Sequence, residues 1–223
     1  MKPRKLCEKA WLEIAGNFPD FKVLGRGQVL KKTADNEDII FEIFFQASRY
    51  NYENNVEFIP HVRIYSKTIK KAIINDGLIY GGDLGTLTKR KPCERWQLAG
   101  ESYRNTVIEV SRLLESYIIP LFLDFEDTEA NIDKILAGKL KSHSLLYYIY
   151  FFGGKSKAEQ YFNKIISDDK LKKKYIAFYN SLKELPKEAV NLPNSHKQTA
   201  SINFQHQPYY IRSSISNSTK HQA

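Results

Sequence analysis

The run "IIFEIFFQASRYNYENNVEFIPHVRIYS", Ile39 to Ser66, constrains this chain more than any other stretch. Ile39, Phe41, Ile43, Phe45 and Ala47 alternate with Ile40, Glu42, Phe44, Gln46 and Ser48. Val56, Phe58, Pro60, Val62 and Ile64 alternate with Glu57, Ile59, His61, Arg63 and Tyr65. A period of two with one apolar set is the pattern of a β-strand that buries one face. The short, turn-rich connections "GRGQ", "ADNED" and "NYENN" predict antiparallel pairing of successive strands. Proline cannot donate to a sheet ladder, so Pro60 predicts an edge strand or a local break.

Around these strands the period is helical. Leu6, Ala10 and Ile14, with Cys7 and Trp11 beside them, predict a helix over residues 3–16 that ends at Gly16-Asn17. A short helix is expected over 66–75, and "DGLIYGGDLGTLT" supplies two further strand candidates. Tyr103, Thr106, Val107, Val110, Leu113, Leu114 and Tyr117 form the best helical stripe, expected to cover the sheet and to stop at Pro120. Further helices are predicted over 128–137, 144–152, 156–167 and 169–185. From Asn191 onward Ser, Asn, Gln, His and Lys dominate, which predicts a disordered tail with one sticky point, "PYYIR", at Pro208–Arg212. The expected fold is α+β: an antiparallel sheet of about four to five strands covered by helices over residues 3–140. A basic helical extension over 141–187 then packs on or beside it, followed by the disordered tail over 191–223.

The net charge of +9 is unevenly placed: residues 1–133 hold 19 Lys+Arg against 20 Asp+Glu, and residues 134–223 hold 15 against 5. Only Arg212 among those 15 is arginine, and lysine is the poorer bidentate reader of bases and phosphates. The apolar runs "SYIIPLFL" and "SLLYYIYFF" are about half of the ~20 residues that a membrane-spanning helix needs. Glu8, Lys9 and Glu13 break the apolar segment that a secretory signal would require, so a soluble, cytoplasmic protein is expected. Two cysteines, Cys7 and Cys93, make neither a disulfide framework nor a zinc site.

"GGKS" at Gly153–Ser156 lacks the earlier glycine of a phosphate loop, since position 149 is Ile. A turn followed by a capping box, Ser156 with Glu159, accounts for it more simply. Pro19-Asp20 and Glu42 have the order of a restriction-nuclease site, yet Phe44 stands where the lysine would be. The acidic group Asp124, Glu126, Asp127, Glu129 and Asp133 lacks calcium-loop order and suits a helix start near Asp127 or Thr128. The five histidines, His61, His143, His196, His206 and His221, form no metal-binding unit. No catalytic, cofactor or metal residue is therefore nominated, and the chain is expected not to be an enzyme.

What remains is surface. The polar side of the strands carries Arg49, Tyr50, His61, Arg63 and Tyr65, a mix of charge and aromatics of the kind enriched at protein interfaces. The alternative is nucleic-acid association through Lys155, Lys157, Lys170, Lys172, Lys173 and Lys174. The order of elements, "FFQASRYNYENNVEFIPHVRIYS", the "RW" dipeptide and the helix leading into "LLESYIIPLFLDFED" resemble a family of stand-alone bacterial domains of unknown function over residues 3–140. Some small bacterial α+β domains of this sort resemble immunity proteins, which bind and block a partner toxin. That resemblance implies an unidentified protein partner and no catalytic residues.

Overall fold

A computed structural model describes residues 1–72, 75–166 and 172–183. The strand pairing follows from the alternation. Strands β1 (Lys22–Leu24), β2 (Val29–Thr33), β3 (Ile39–Ala47), β4 (Glu57–Ser66) and β5 (Leu78–Asp83) form an antiparallel meander in the order 1-2-3-4-5. The expected four to five strands are met, and a sixth, β6 (Trp96–Gln97), pairs with the start of β4. The β1–β2 turn places Gly25, Arg26 and Gly27 at φ of 57°, 59° and 87°, a left-handed path that glycine follows without strain.

Pro60 does not lie on an edge strand. It pairs with Phe45 in β4, inside the sheet. The Phe45 amide donates to Gln28 O at 2.9 Å, toward β2, so the backbone at position 60 faces away from β3. There, β6 covers Glu57 and Phe58 and β5 begins only at His61. The missing N–H falls in the gap between two neighbours, which is the local break that was the other expectation.

The apolar side of the sheet is covered by helices. In α1 (Pro3–Ala15), Trp11 stacks on Phe45 at 6.2 Å. Its end is held by Asn17, whose side-chain amide donates to Glu13 O and Ile14 O, while Gly16 keeps right-handed geometry. The short α2 (Lys67–Lys71) starts at Ser66, whose hydroxyl accepts from the Ile69 amide and donates to Asp38. The second strand expected in "DGLIYGGDLGTLT" is instead α3 (Leu84–Leu87), because the Asp83 carboxylate accepts from the Thr86 amide and caps a helix.

Helix α4 (Ser102–Leu113) does not end at Pro120. A π-helical turn, Leu114–Ile118, leads into α5 (Ile119–Glu126) with Pro120 in the first turn of α5. Proline there lacks only an N–H that a helix start does not need. Tyr117, expected on the buried stripe, is half exposed at 51% as a result. Phe122 of α5 stacks on Phe41 at 4.5 Å, and Phe125 packs with Tyr80 and Tyr148. Asp127 caps α6 (Thr128–Leu136) through the Ala130 amide, as its acidic start implied.

Helix α7 (Leu145–Ile165) is broken at Gly154, with φ 83° and ψ 171°, where the sequence predicted a turn between two helices. Its first half, Leu145 to Ile149, is buried. Helix α8 (Lys172–Lys183) stacks Tyr179 on Phe162 at 4.2 Å. The tail expected over 191–223, with Pro208–Arg212, lies outside the described residues.

Candidate functional site

Helices α1 and α5 meet the Phe41/Phe45 side of the sheet and α7 packs on α5 through Tyr148, so among the described residues the opposite side is open. Strand register arranges that open side in rows across the strands. One row reads Lys22, Lys31, Glu42, Arg63, and the next reads Leu24, Val29, Phe44, His61, Asp83. Glu42, Phe44, His61, Arg63 and Tyr65 are half buried by one another rather than covered by any described helix.

At the centre these groups hold each other in place. The Arg63 guanidinium donates to Glu42 at 3.3 Å and lies over the Phe44 ring at 5.2 Å. His61 Nε2 shares a 2.8 Å hydrogen bond with Gln46 Oε1, and its ring tilts against Phe44 at 6.2 Å. Burial, helped by the Arg63 charge and opposed by Asp83, holds the His61 imidazole below the usual histidine range. Burial and then the Glu42 carboxylate push the Tyr65 phenol up, against the pull of Arg63. At neutral pH the face therefore presents a neutral phenol, a guanidinium already paired, and an imidazole biased to its neutral form.

The five face residues nominated from sequence are not one cluster. His61, Arg63 and Tyr65 stand at alternate positions of β4 on the open side. Arg49 and Tyr50 lie beyond the far end of β3, where the Arg49 guanidinium sits over the Tyr50 ring at 4.6 Å and Tyr50 is 66% exposed. Ser48 bonds at Glu57 whereas Tyr65 pairs at Ile40, so most of β3, about 27 Å at ~3.4 Å per residue, separates Tyr50 from Tyr65. Arg49 and Tyr50 instead share their end with Arg95, which donates to Ser48 Oγ at 3.1 Å and pairs with Glu57 at 3.6 Å. Sequence reasoning missed Lys22, Lys31 and Val29 as members of the same face. The β1–β2 register places them there, and only the "GRG" turn hinted at it.

The lysines nominated for nucleic acid are partly engaged. Lys157 donates to Asp133 at 2.8 Å, and Lys155 pairs with Glu159 at 3.8 Å. Lys172 and Lys173 are exposed on α8; the side chain of Lys174 and all of Lys170 lie outside the described residues. Glu159 also accepts the Tyr179 hydroxyl at 3.1 Å, so its carboxylate serves two partners other than the box expected with Ser156. Among the described residues no group of three His, Cys, Asp or Glu side chains is placed to hold a metal ion, and no helix is long and apolar enough to cross a membrane. Both cysteines are free thiols, Cys7 buried and Cys93 exposed.

No curated protein and no solved structure matches the chain. The segment from just before β1 into α5, which contains every described strand and thus the open face, does match a family. Residues 18–124 of this chain match the family described as a domain of unknown function (DUF4304).

Proposed function

We propose that the chain is a non-enzymatic protein-binding module whose working surface is the open sheet face around His61, Arg63 and Tyr65. The observation that carries this reading is a pre-paired constellation left uncovered. Glu42, Arg63, Phe44, His61 and Gln46 already constrain one another. Side chains ordered before binding lose less freedom on contact, and Arg and Tyr are residues on which interface energy concentrates. The resemblance of the chain to small bacterial immunity-like domains supports a cytoplasmic antagonist of a bacterial partner as the specific form of this function.

The test is a double substitution, Arg63→Ala with Tyr65→Ala, compared with the parent chain in quantitative capture of a purified partner. A loss of at least tenfold in affinity with an unchanged melting temperature is expected. Equal binding by both chains would sink the face as the working surface. For the immunity-like form, co-expression of the parent, but not the variant, should relieve growth arrest by the partner.

A second reading, nucleic-acid association, is favoured by one observation, the adjacent exposed Lys172 and Lys173 on α8. It requires binding to an oligonucleotide that falls steeply with salt, since counterion release drives such binding. Absence of binding at low salt would eliminate it.

A further inference from the structure

The β1 edge of the sheet carries a charge arrangement that no described residue satisfies. Among the described residues strand β1 pairs only with β2, and all three of its residues are exposed, with Val23 at 42% and Leu24 at 37%. Lys22 and Lys31 stand directly opposite each other on the open side. Like charges in directly paired positions are unfavourable, because the side chains start about 5 Å apart. Among the described residues neither forms an ion pair: Glu42, the cross-strand neighbour of Lys31, is taken by Arg63 at 3.3 Å. Lys32, by contrast, points the other way and is neutralised by Glu126 at 3.2 Å.

A hollow of about 480 Å³ lies at this place, lined by Asp20, Lys22, Leu24, Lys31, Lys32 and Thr33. A concavity, two unpaired cations and a row of apolar side chains thus coincide at an unpaired strand edge. Two positions along from Lys22 and Lys31, the neighbouring row opens with Leu24, Val29 and Phe44. A strand added beside β1 extends both rows at once. Its side chain next to Lys22 meets a cation, and the one two residues away meets Leu24.

Resting on the protein-binding reading above, we infer that the β1 edge takes an extended acidic segment of the partner protein, added as a further strand with a carboxylate beside Lys22 and an apolar side chain beside Leu24. The alternation is the recognition element: acid at one position, apolar two residues on. A polyanion such as single-stranded nucleic acid fits less well. Asp20 on the hollow and Glu42 in the cationic row interrupt the positive track that a continuous phosphate backbone follows. Lysine on an edge strand also discourages self-pairing, and a partner carboxylate turns that protection into selectivity.

The experiment uses the full chain and a labelled heptapeptide, acetyl-Thr-Glu-Thr-Val-Thr-Glu-Thr-amide, which places Glu and Val two residues apart on one face, followed by fluorescence anisotropy and by amide shifts of the uniformly labelled protein. Expected are saturable binding, shifts centred on Lys22–Leu24, and at least tenfold weaker binding by Lys22→Glu with Lys31→Glu. That variant should in turn bind the counterpart peptide with Lys in place of each Glu, a gain that a merely misfolded chain cannot show. No binding of the acidic peptide, equal binding by the charge-reversed variant, or preference for a twelve-residue oligothymidylate would each overturn the inference. Should the acidic peptide fail while Arg63→Ala with Tyr65→Ala still abolishes partner capture, the edge assignment alone falls. Should that double variant also bind normally, the face reading falls with it.

Discussion

Single residues in this chain are set by what their neighbours leave them. Cys7 is fully buried on the inner side of α1, and burial pushes its thiol up to about 11, outweighing the pull of Arg4 and of the Asn51 amide. Since the thiolate is the reactive form, Cys7 should resist a thiol reagent at pH 8 in the native protein. Titration with such a reagent should count one fast thiol, exposed Cys93, and two after denaturation. Glu8 behaves in the opposite sense. Partial burial raises its carboxyl, but hydrogen bonds from Lys5, Arg4 and Arg26 win and hold it below the usual carboxylate range. A carboxyl depressed in the folded state adds stability above its unfolded value and loses it as pH falls through the folded one. Urea unfolding of Glu8→Gln against the parent should therefore show a gap at pH 7 that closes on acidification to pH 3 and narrows in high salt, because the three cations are exposed.

At the scale of elements, two departures from the sequence reading share a cause, the missing N–H of a proline. Pro60 is tolerated within the sheet because its missing donor falls where β5 has not begun and β6 has ended. Pro120 is tolerated because the π-helical turn before it lets the chain restart as a new helix with proline in its first turn. Pro120→Ala should consequently change stability by less than about 1 kcal/mol, whereas proline in a helix interior costs ~3 kcal/mol or more. Val110→Pro, in the buried middle of α4, is the control, and chemical denaturation reads both. The Asp83 side chain decided a third case, capping α3 where strand residues were expected.

For the whole molecule, stacked and tilted aromatic rings join the sheet to the helices, beside the Lys32–Glu126 ion pair between β2 and α5. Phe122 links α5 to Phe41 of β3 at 4.5 Å and to Phe21, just before β1, at 6.0 Å, and it is 3% exposed. Truncating such a side chain leaves a cavity between layers, so Phe122→Ala should cost about 3–5 kcal/mol in equilibrium unfolding. A loss under about 1 kcal/mol would mean that α5 is not part of the structural core. The same one-sided covering leaves the sheet face around Arg63 open, which ties the site to the architecture.

The sequence by itself determined the long strands, their antiparallel order and most of the helices. Ile39 to Ala47 and Glu57 to Ser66 could be read because side chains alternate with period two and one set is apolar. It also pointed to His61, Arg63 and Tyr65 as one polar stripe, since they lie on a single strand. Which residues of different strands meet was decided only in three dimensions. Register is fixed by turn geometry and by packing against helices distant in the chain, so Lys31 next to Glu42, and Arg49 and Tyr50 far from Tyr65, carried no local signal. The uncovered face is likewise a tertiary fact. An alternating strand states that it has two sides, and only the placement of α1 and α5 on one of them, with α7 packed on α5, leaves the other open among the described residues.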